Sequence, residues 1–398
     1  MTETRFWHPF ADMHAVRNDE FIIERGDGCW VWDAAGTRYF DATASLWCVN
    51  VGHGRPEIAD AVQRQMLELA SYSAFGHFAN RPALELADRL ARVAPVDDPR
   101  VFLASGGGDA IDGAAKLVRR YFHAIGEPDR THIIGRHQAY HGTHGHGMSI
   151  GGIPANREGM GPLDPGTSQV PHDDLEALEA EIARLGAERV AAVFAEPILG
   201  AGGVHQPVAG YFEGVAEICR RNGVLFVADC VIAGFGRLGE WFGPERFGVR
   251  PDIVAFAKGV TSGYLPLGGM VVSGRIASPF WDEPGHVFRH GQTYSGHPSC
   301  SAAALAKQLT AAGATVSTVN EAIGMVVVSA APSGFLASVR SNAAVDSAAA
   351  NGLVGRSPMA GKAKDRVLRE NAEAPASAGA AERADVSADP LDSYLWGM

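Results

Sequence analysis

Lys258 is the residue of this sequence whose type and setting point most directly to chemistry. It follows the apolar run 253–257 and precedes Gly259, a pattern typical of a buried strand that ends in a charged side chain. Burying an ammonium group costs free energy, so burial lowers the pKa of a lysine and leaves a neutral amine that can form a Schiff base. The alternative is a lysine that simply emerges at a strand end. For this feature taken alone, that alternative is the stronger one.

Asp229 and Tyr140 also follow apolar runs, at 224–228 and 132–134. A carboxylate at a strand end can pair with the protonated nitrogen of a pyridine ring and make the ring an electron sink. A helix cap or an ion pair with Arg237 would also account for Asp229. Tyr140 could stack on a flat ring, although ordinary packing is the more common role of a tyrosine.

A glycine cluster follows the apolar run 101–104 and precedes a helical pattern over 110–122. It reads Ser105, Gly106, Gly107, Gly108, Asp109. Glycines let the backbone approach a phosphate, and the free N–H groups at a helix start bind anions. A tight turn between strand and helix is an equally good explanation of the cluster alone.

Metal and disulfide chemistry are not indicated. His144 and His146 stand two residues apart in a glycine-rich loop without carboxylates, which is poor spacing for zinc. The five cysteines are odd in number, scattered, and form no CxxC pair. We therefore expect no metal and free thiols.

Together these features make up the parts of a site for pyridoxal 5′-phosphate (PLP). They supply a phosphate cradle, a ring stacker, a partner for the ring nitrogen and an amine. Each of them follows an apolar run, so one sheet could bring them to the same edge.

Short apolar runs alternate with amphipathic helical patterns between residues 101 and 272. The runs are 101–104, 132–134, 190–194, 224–228, 253–256 and 270–272. Helical patterns at 174–185 and 212–221 lie between them. This alternation predicts an α/β fold with a mostly parallel sheet covered by helices on both faces, and ligands bind such sheets at the carboxyl ends of their strands.

The flanking regions differ from this core and predict three parts of the chain. Residues 1–55 form an N-terminal segment with a β-meander at 20–42, and residues 56–306, helical at first over 56–94, form the large domain. Residues 307–398 are rich in Ala, Ser, Val and Gly and have few aromatic residues. A helix over Val316–Val327 and a strand over Met325–Val328 compete there. A shifted reading frame and partial disorder are the hypotheses for this atypical C-terminal region.

The composition and charge of the chain limit the kinds of molecule that it could bind. The net charge is −11 and no basic run is present, which argues against nucleic acid. No apolar stretch reaches the roughly 20 residues that a membrane span needs, and no signal peptide is recognised. We expect a cytoplasmic protein that acts on small molecules.

The chain resembles the class III aminotransferases of PLP fold type I over about residues 5–306. The motifs that carry the resemblance are 139–142 (AYHG), 195–204 (AEPILGAGGV), 227–237 (VADCVIAGFGR), 257–259 (AKG) and 293–298 (TYSGHP). The resemblance implies that fold, with PLP as cofactor.

It also implies roles for individual residues. Lys258 would carry PLP as a Schiff base and move the substrate proton, and Asp229 would bind the ring nitrogen. The other cofactor-binding residues would be Gly106, Gly107 and Gly108 at the phosphate, Tyr140 and Val231 on the two ring faces, and His141 and Glu196 beside them. Thr293 would reach the phosphate of a neighbouring subunit, which predicts a homodimer with shared sites.

The stretches 7–10 (WHPF) and 46–54 (LWCVNVGHG) are similar to the ω-amino acid:pyruvate type within that family. Trp47 and Leu46 would then line the substrate pocket, although Trp47 could be a core aromatic beside the meander. The reaction implied is ping-pong, with an amino group passing from an ω-amino acid or amine to a keto acid such as pyruvate. The exact donor and the stereopreference are left open.

Some positions depart from the family pattern. Cys230 stands where the family usually has Glu, and Gly106 and Gly108 stand where Ser is common, so hydroxyl donors are missing. The family's C-terminal domain, with the arginine that binds substrate carboxylates, has no match after residue 306. The alternatives to an active transaminase are therefore an impaired relative, or another class III activity such as an aminomutase or decarboxylase.

Overall fold

The computed structural model describes residues 4–310, 315–320, 325–329 and 353–356. The N-terminal part consists of a short helix and an antiparallel sheet: α1 (Met13–Val16), β1 (Ile23–Asp27), β2 (Trp30–Asp33) and β3 (Arg38–Phe40). Asp33 holds the turn between β2 and β3, because its Oδ1 accepts hydrogen bonds from the backbone N–H groups of Ala35 and Thr37. The meander predicted at 20–42 is confirmed.

Three helices follow this small sheet: α2 (Ala44–Trp47), α3 (Pro56–Leu69) and α4 (Arg81–Val93). The Asn80 side chain accepts a hydrogen bond from the Ala83 N–H and so caps the start of α4. Helices α3 and α4 confirm the helical prediction for 56–94. On α3 only Ile58 is buried, while Met66 and Leu69 are exposed, so its apolar face is covered only at the N-terminal end.

The large domain is built on one seven-stranded sheet. Its strands are β4 (Arg100–Ala104), β5 (His132–Arg136), β6 (Thr167–Val170), β7 (Val190–Ala195), β8 (Leu225–Asp229), β9 (Ile253–Phe256) and β10 (Gly268–Val272), in the order β4-β10-β9-β8-β7-β5-β6. Only β10 pairs antiparallel with its neighbours. The mostly parallel sheet is thus confirmed. The edge strand β6 was missed, because its Thr, Ser and Gln form no apolar run.

Helices cover both faces of this sheet: α5 (Gly107–Ala124), α6 (Gly145–Ile150), α7 (Leu175–Leu185), α8 (Tyr211–Asn222), α9 (Gly274–Trp281) and α10 (Pro298–Thr310). Short 3-10 turns occur at Pro154–Asn156, Ala187–Arg189, Pro244–Phe247 and Lys258–Val260. Within the described ranges, no helix combines the length and the apolar character needed to cross a membrane.

The core lies on both sides of the sheet. All residues of β7 are buried, and the strand contributes to both faces, with Val193 in one core cluster and Phe194 in the other. The first cluster includes Phe212 of α8, and the second includes Phe122 of α5. A near-continuous apolar strand is therefore what this position in the sheet requires.

The C-terminal described residues form three further strands. They are β11 (Thr315–Asn320), β12 (Met325–Ser329) and β13 (Leu353–Arg356), antiparallel in the order β11-β12-β13. Strands, and not the competing helix over Val316–Val327, are formed there. Most of the predicted region 307–398 lies outside the described residues, so the three-part division of the chain remains a prediction.

Phe212 allows a test of the core. It is fully buried, and its ring centroid lies 5.2 Å from those of Phe226 and Phe247. We expect Phe212→Ala to lower the free energy of unfolding by about 3–5 kcal/mol in urea denaturation, because it leaves a cavity. Arg220→Ala, on the exposed face of the same helix, is the control and should cost less than about 1 kcal/mol. Equal losses in the two variants would contradict this packing.

Candidate active site

A cavity of about 420 Å³ lies at the carboxyl edge of the large sheet. Most of the predicted site residues line it together: Gly106, Gly107, Gly108, Tyr140, His141, Glu196, Asp229, Val231 and Lys258. They come from the ends of β4, β5, β7, β8 and β9. Strands that run parallel end at the same edge, which is why residues so distant in the chain meet here.

The glycine cluster forms one end of the cavity. Helix α5 begins at Gly107, three residues before the predicted Ala110, so Gly107 and Gly108 belong to its first turn. A Cβ on Gly107 would lie 2.9 Å from Cγ1 of Val231, and one on Gly108 would lie 3.2 Å from the His144 ring. No side chain caps this helix start. Its free N–H groups and helix dipole therefore favour an anion.

Asp229 is buried at the end of β8. Its Oδ2 lies 2.8 Å from Nδ1 of His141, and its Oδ1 accepts a hydrogen bond of 3.0 Å from the Val231 N–H. His141 is also buried. Arg237, the partner weighed from sequence, instead donates to Trp47 and Asn50. The ion-pair explanation of Asp229 through Arg237 is therefore wrong.

Glu196 is the second buried carboxyl group at this edge. It accepts hydrogen bonds from the backbone N–H groups of Tyr140 at 3.2 Å and Gly200 at 2.9 Å. Burial raises the pKa of Glu196, and the nearby charge of Asp229 adds to that effect, whereas His141 opposes it. Glu196 thus fixes the backbone that carries Tyr140 while it lines the cavity.

Lys258 lies just after β9 and begins a 3-10 turn. Its backbone has φ of +44°, an uncommon conformation for a residue with a side chain. Burial lowers the pKa of Lys258, although the charge of Asp229 acts in the opposite direction. The Nζ atom therefore tends towards the neutral, nucleophilic amine that was expected from the sequence.

Three predicted residues do not line this cavity. The Trp47 ring centroid lies 5.9 Å from Nζ of Lys258, so Trp47 is close to the reactive amine although it does not line this cavity. Leu46 is 52% exposed. Thr293 is exposed, and within this chain it does not reach the glycine cluster. Their roles remain predictions.

The loop from Thr261 to Leu267 was missed from the sequence. It contributes Thr261, Leu265, Pro266 and others to the cavity, and Oγ1 of Thr261 donates a hydrogen bond of 2.6 Å to the Leu265 carbonyl. Gly263 and Pro266 mark it as a loop directly after the lysine strand. That signal could have placed it at the active edge.

The histidines considered as metal ligands point to separate partners. His146 Nδ1 lies 3.2 Å from Asp164, and His144 Nδ1 lies 3.6 Å from Asp109. Among the described residues, no group of three His, Cys, Asp or Glu side chains is placed to hold a metal ion.

Comparison with known proteins agrees with this geometry. The family model "Aminotransferase class-III" matches residues 13–325. The chain is 42% identical over 316 residues to the putrescine–pyruvate aminotransferase of Pseudomonas aeruginosa, which covers 75% of this chain and 69% of that protein. This chain therefore belongs to the class III aminotransferases.

Solved structures are similar as well. An (S)-enantioselective ω-transaminase from Thermomicrobium roseum superposes with a TM-score of 0.74 at 41% identity, covering 76% of this chain and 71% of that one. An amine transaminase from an uncultivated Pseudomonas species, solved in its PLP-bound form, gives 0.73 at 39% identity, covering 77% and 74%. The expected fold, PLP fold type I, is confirmed.

The buried pair of Asp229 and His141 can be tested directly. Replacing His141 by Leu leaves the buried carboxyl group of Asp229 with one hydrogen bond, so we expect the free energy of unfolding to fall by about 3 kcal/mol. His137→Leu, at an exposed position nearby, should change it by no more than about 0.5 kcal/mol. Chemical denaturation at neutral pH measures both. A His141→Leu protein as stable as His137→Leu would show that the pair does not hold the edge together.

Proposed function

We propose that this chain is a PLP-dependent transaminase that passes an amino group from an ω-amino acid or amine to a keto acid, with pyruvate as acceptor. The observation that carries the proposal is the amine of Lys258 in one cavity with the buried carboxylate of Asp229 and a glycine-lined helix start. Bound PLP supplies an aldehyde that condenses with amines and a ring that withdraws electrons.

The residues of the cavity fit this cofactor. The Asp229 carboxylate offers about four lone-pair sites and uses two of them, on His141 and Val231, so it can accept a further hydrogen bond from a ring nitrogen. His141 orients that carboxylate. The free N–H groups of Gly107 and Gly108 suit the phosphate, with Gly106 at the N-cap.

The flat ring would lie between Tyr140 and Val231, which both line the cavity. Glu196 holds the backbone of Tyr140 in place. Because Gly107 leaves room for Val231, a side chain at position 107 would displace the residue that contacts the ring.

Lys258 has two tasks in this proposal. Its Nζ would hold PLP as a Schiff base, and the same amine, once free, would take up the proton from the substrate Cα. The lowered pKa suits both tasks, because a protonated ammonium is neither nucleophile nor base.

The substrate class rests on the relatives and on the Trp47 region. One similar protein is named for putrescine and pyruvate, and another is named as an ω-transaminase. Trp47 stands 5.9 Å from the Lys258 amine and would, with Leu46, bound the donor pocket. An aromatic wall without charge suits the carbon chain of an ω-amino acid or amine.

A homodimer with shared active sites is part of the proposal. The loop around Thr293 borders an exposed apolar patch, which we define as Tyr72, Phe75, Phe78 and Tyr294. Phe75 approaches Gly291, and the Asn80 side chain donates to the Gly296 carbonyl, so patch and loop form one surface. A second copy covering this apolar patch would bring Thr293 to the partner's phosphate site.

Phe75→Asp should weaken the dimer, because it places a charge in the apolar patch. We expect sedimentation equilibrium to show a monomer fraction at concentrations where the unchanged protein is dimeric. Val208→Asp, at a position that is 55% exposed and away from the patch, is the control. A monomeric unchanged protein, or no difference between the two variants, contradicts the shared-site arrangement.

We also place the protein in the cytoplasm. All five cysteines are free thiols, as expected where thiols are kept reduced. The division into segments 1–55, 56–306 and 307–398 is retained as part of this proposal.

Lys258→Ala tests the proposed function. The unchanged protein, incubated with PLP, should show an absorbance band near the edge of the visible range and should form alanine from pyruvate with β-alanine, 4-aminobutyrate or an aryl-alkyl amine. The variant should lose the band and at least about 1000-fold of the rate, because the nucleophile and base are gone. Lys116→Ala, at an exposed lysine paired with Asp112, should keep both.

Other outcomes identify the alternatives. Carbon dioxide release or substrate isomerisation without alanine indicates a decarboxylase or an aminomutase. A protein that aggregates and shows no band is an impaired relative.

A further inference from the structure

The segment 44–51, which we call the pocket wall, carries Trp47 in a strained backbone conformation. Ala44, Ser45 and Trp47 have φ values of 50°, 58° and 56°, a region that residues with side chains rarely adopt. Such conformations persist only where the surroundings hold them. At the N-terminal end, the Asp41 carboxylate accepts hydrogen bonds of 2.8 and 2.9 Å from the Ser45 N–H.

Arg237 holds the other end of the pocket wall. Its Nη2 donates to the Trp47 carbonyl at 3.0 Å and to Oδ1 of Asn50 at 3.1 Å, while its Nε donates to the Ile232 carbonyl at 3.2 Å. The planar guanidinium offers these donors in a fixed geometry, which a lysine cannot reproduce. Arg237 thus ties the wall to the loop that follows Asp229.

Asn50 ties the wall to the Arg237 loop and packs against the turn that carries Lys258. Its Nδ2 donates to the Phe235 carbonyl at 3.1 Å, and a Cβ on Gly259 would lie only 2.5 Å from that nitrogen. One residue further, the Val51 N–H donates to Oγ of Ser262 at 3.0 Å. The wall, the Arg237 loop and the lysine turn are therefore held against one another by polar contacts.

Arg237 is not part of the cavity lining, whereas the Trp47 ring stands 5.9 Å from the Lys258 amine. We propose that Arg237 is a positioning residue that holds Trp47 beside Lys258 and so sets the size of amino donor that the pocket accepts. The existence of a donor pocket depends on the function proposed above. The hydrogen bonds by which Arg237 holds the pocket wall do not depend on it.

Hydrogen exchange tests the hold on the wall without any activity. In Arg237→Gln we expect the amides of residues 45–48 to exchange about tenfold faster by mass spectrometry, since charge-assisted hydrogen bonds to the wall are lost. Arg237→Lys should increase the exchange rate of the same amides by a smaller factor. This variant still provides a test if Arg237→Gln folds poorly. Arg220→Gln, at an exposed arginine on α8, should leave residues 45–48 unchanged. Unchanged exchange in both Arg237 variants overturns the proposal.

Kinetics with two donors test the consequence for size. We expect Arg237→Gln to change the ratio of kcat/KM for an aryl-alkyl amine over β-alanine by about tenfold. In a Trp47→Ala background the same substitution should change that ratio by less than about twofold, because Arg237 acts through Trp47. An equal factor for both donors, or effects that multiply independently, overturns the proposal. If the unchanged protein transfers no amino group at all, the proposed function fails, and the exchange result still decides whether Arg237 holds the wall.

Discussion

Burial of ionisable side chains at the carboxyl edge of the sheet is the constraint on which the site depends. Strands β8 and β9 pair side by side, both fully buried, and end at Asp229 and just before Lys258. A charged group there needs a hydrogen-bond or ion-pair partner; without one, burial shifts its pKa towards the neutral form. Asp229 finds partners in His141 and the Val231 N–H, whereas burial lowers the pKa of Lys258 and so favours its neutral form. One environment thus places a hydrogen-bonded carboxyl group and an amine with a lowered pKa in the same cavity.

The same constraint explains the other ionisable groups of this edge. Asp229 and Glu196 are both buried beside a single imidazole, and burial raises the pKa of Glu196. Cys230, which replaces the glutamate usual in the family, is buried, and its raised pKa keeps the thiol neutral. A third carboxylate is therefore absent from this part of the core, where Cys230 packs among apolar side chains.

Much of the fold could be predicted because the central strands are apolar runs bounded by polar residues, as buried parallel strands must be. The edge strand β6 has no such run, and the start of α5 was misplaced because glycines are poor helix formers that only packing can accommodate. The hydrogen-bond partners of the site residues were harder to predict from the sequence. His141 and Asp229 are 88 positions apart, and no local pattern links them. The role of Asp229 was therefore predicted with the help of the family resemblance. Arg237, its suspected partner, forms hydrogen bonds with Trp47 and Asn50 instead.

The reversed strand β10 has a consequence for how the chain assembles. It pairs with β9 in antiparallel register, Gly269 opposite Phe256, so the connection that begins with Lys258 is a local loop. Closing a local loop costs less chain entropy than joining distant segments, and local contacts form faster. We therefore expect the lysine turn to take shape early in folding, with the contact between His141 and Asp229 completed later. The reactive amine would then exist in a partly formed edge before the Asp229 side chain is fixed.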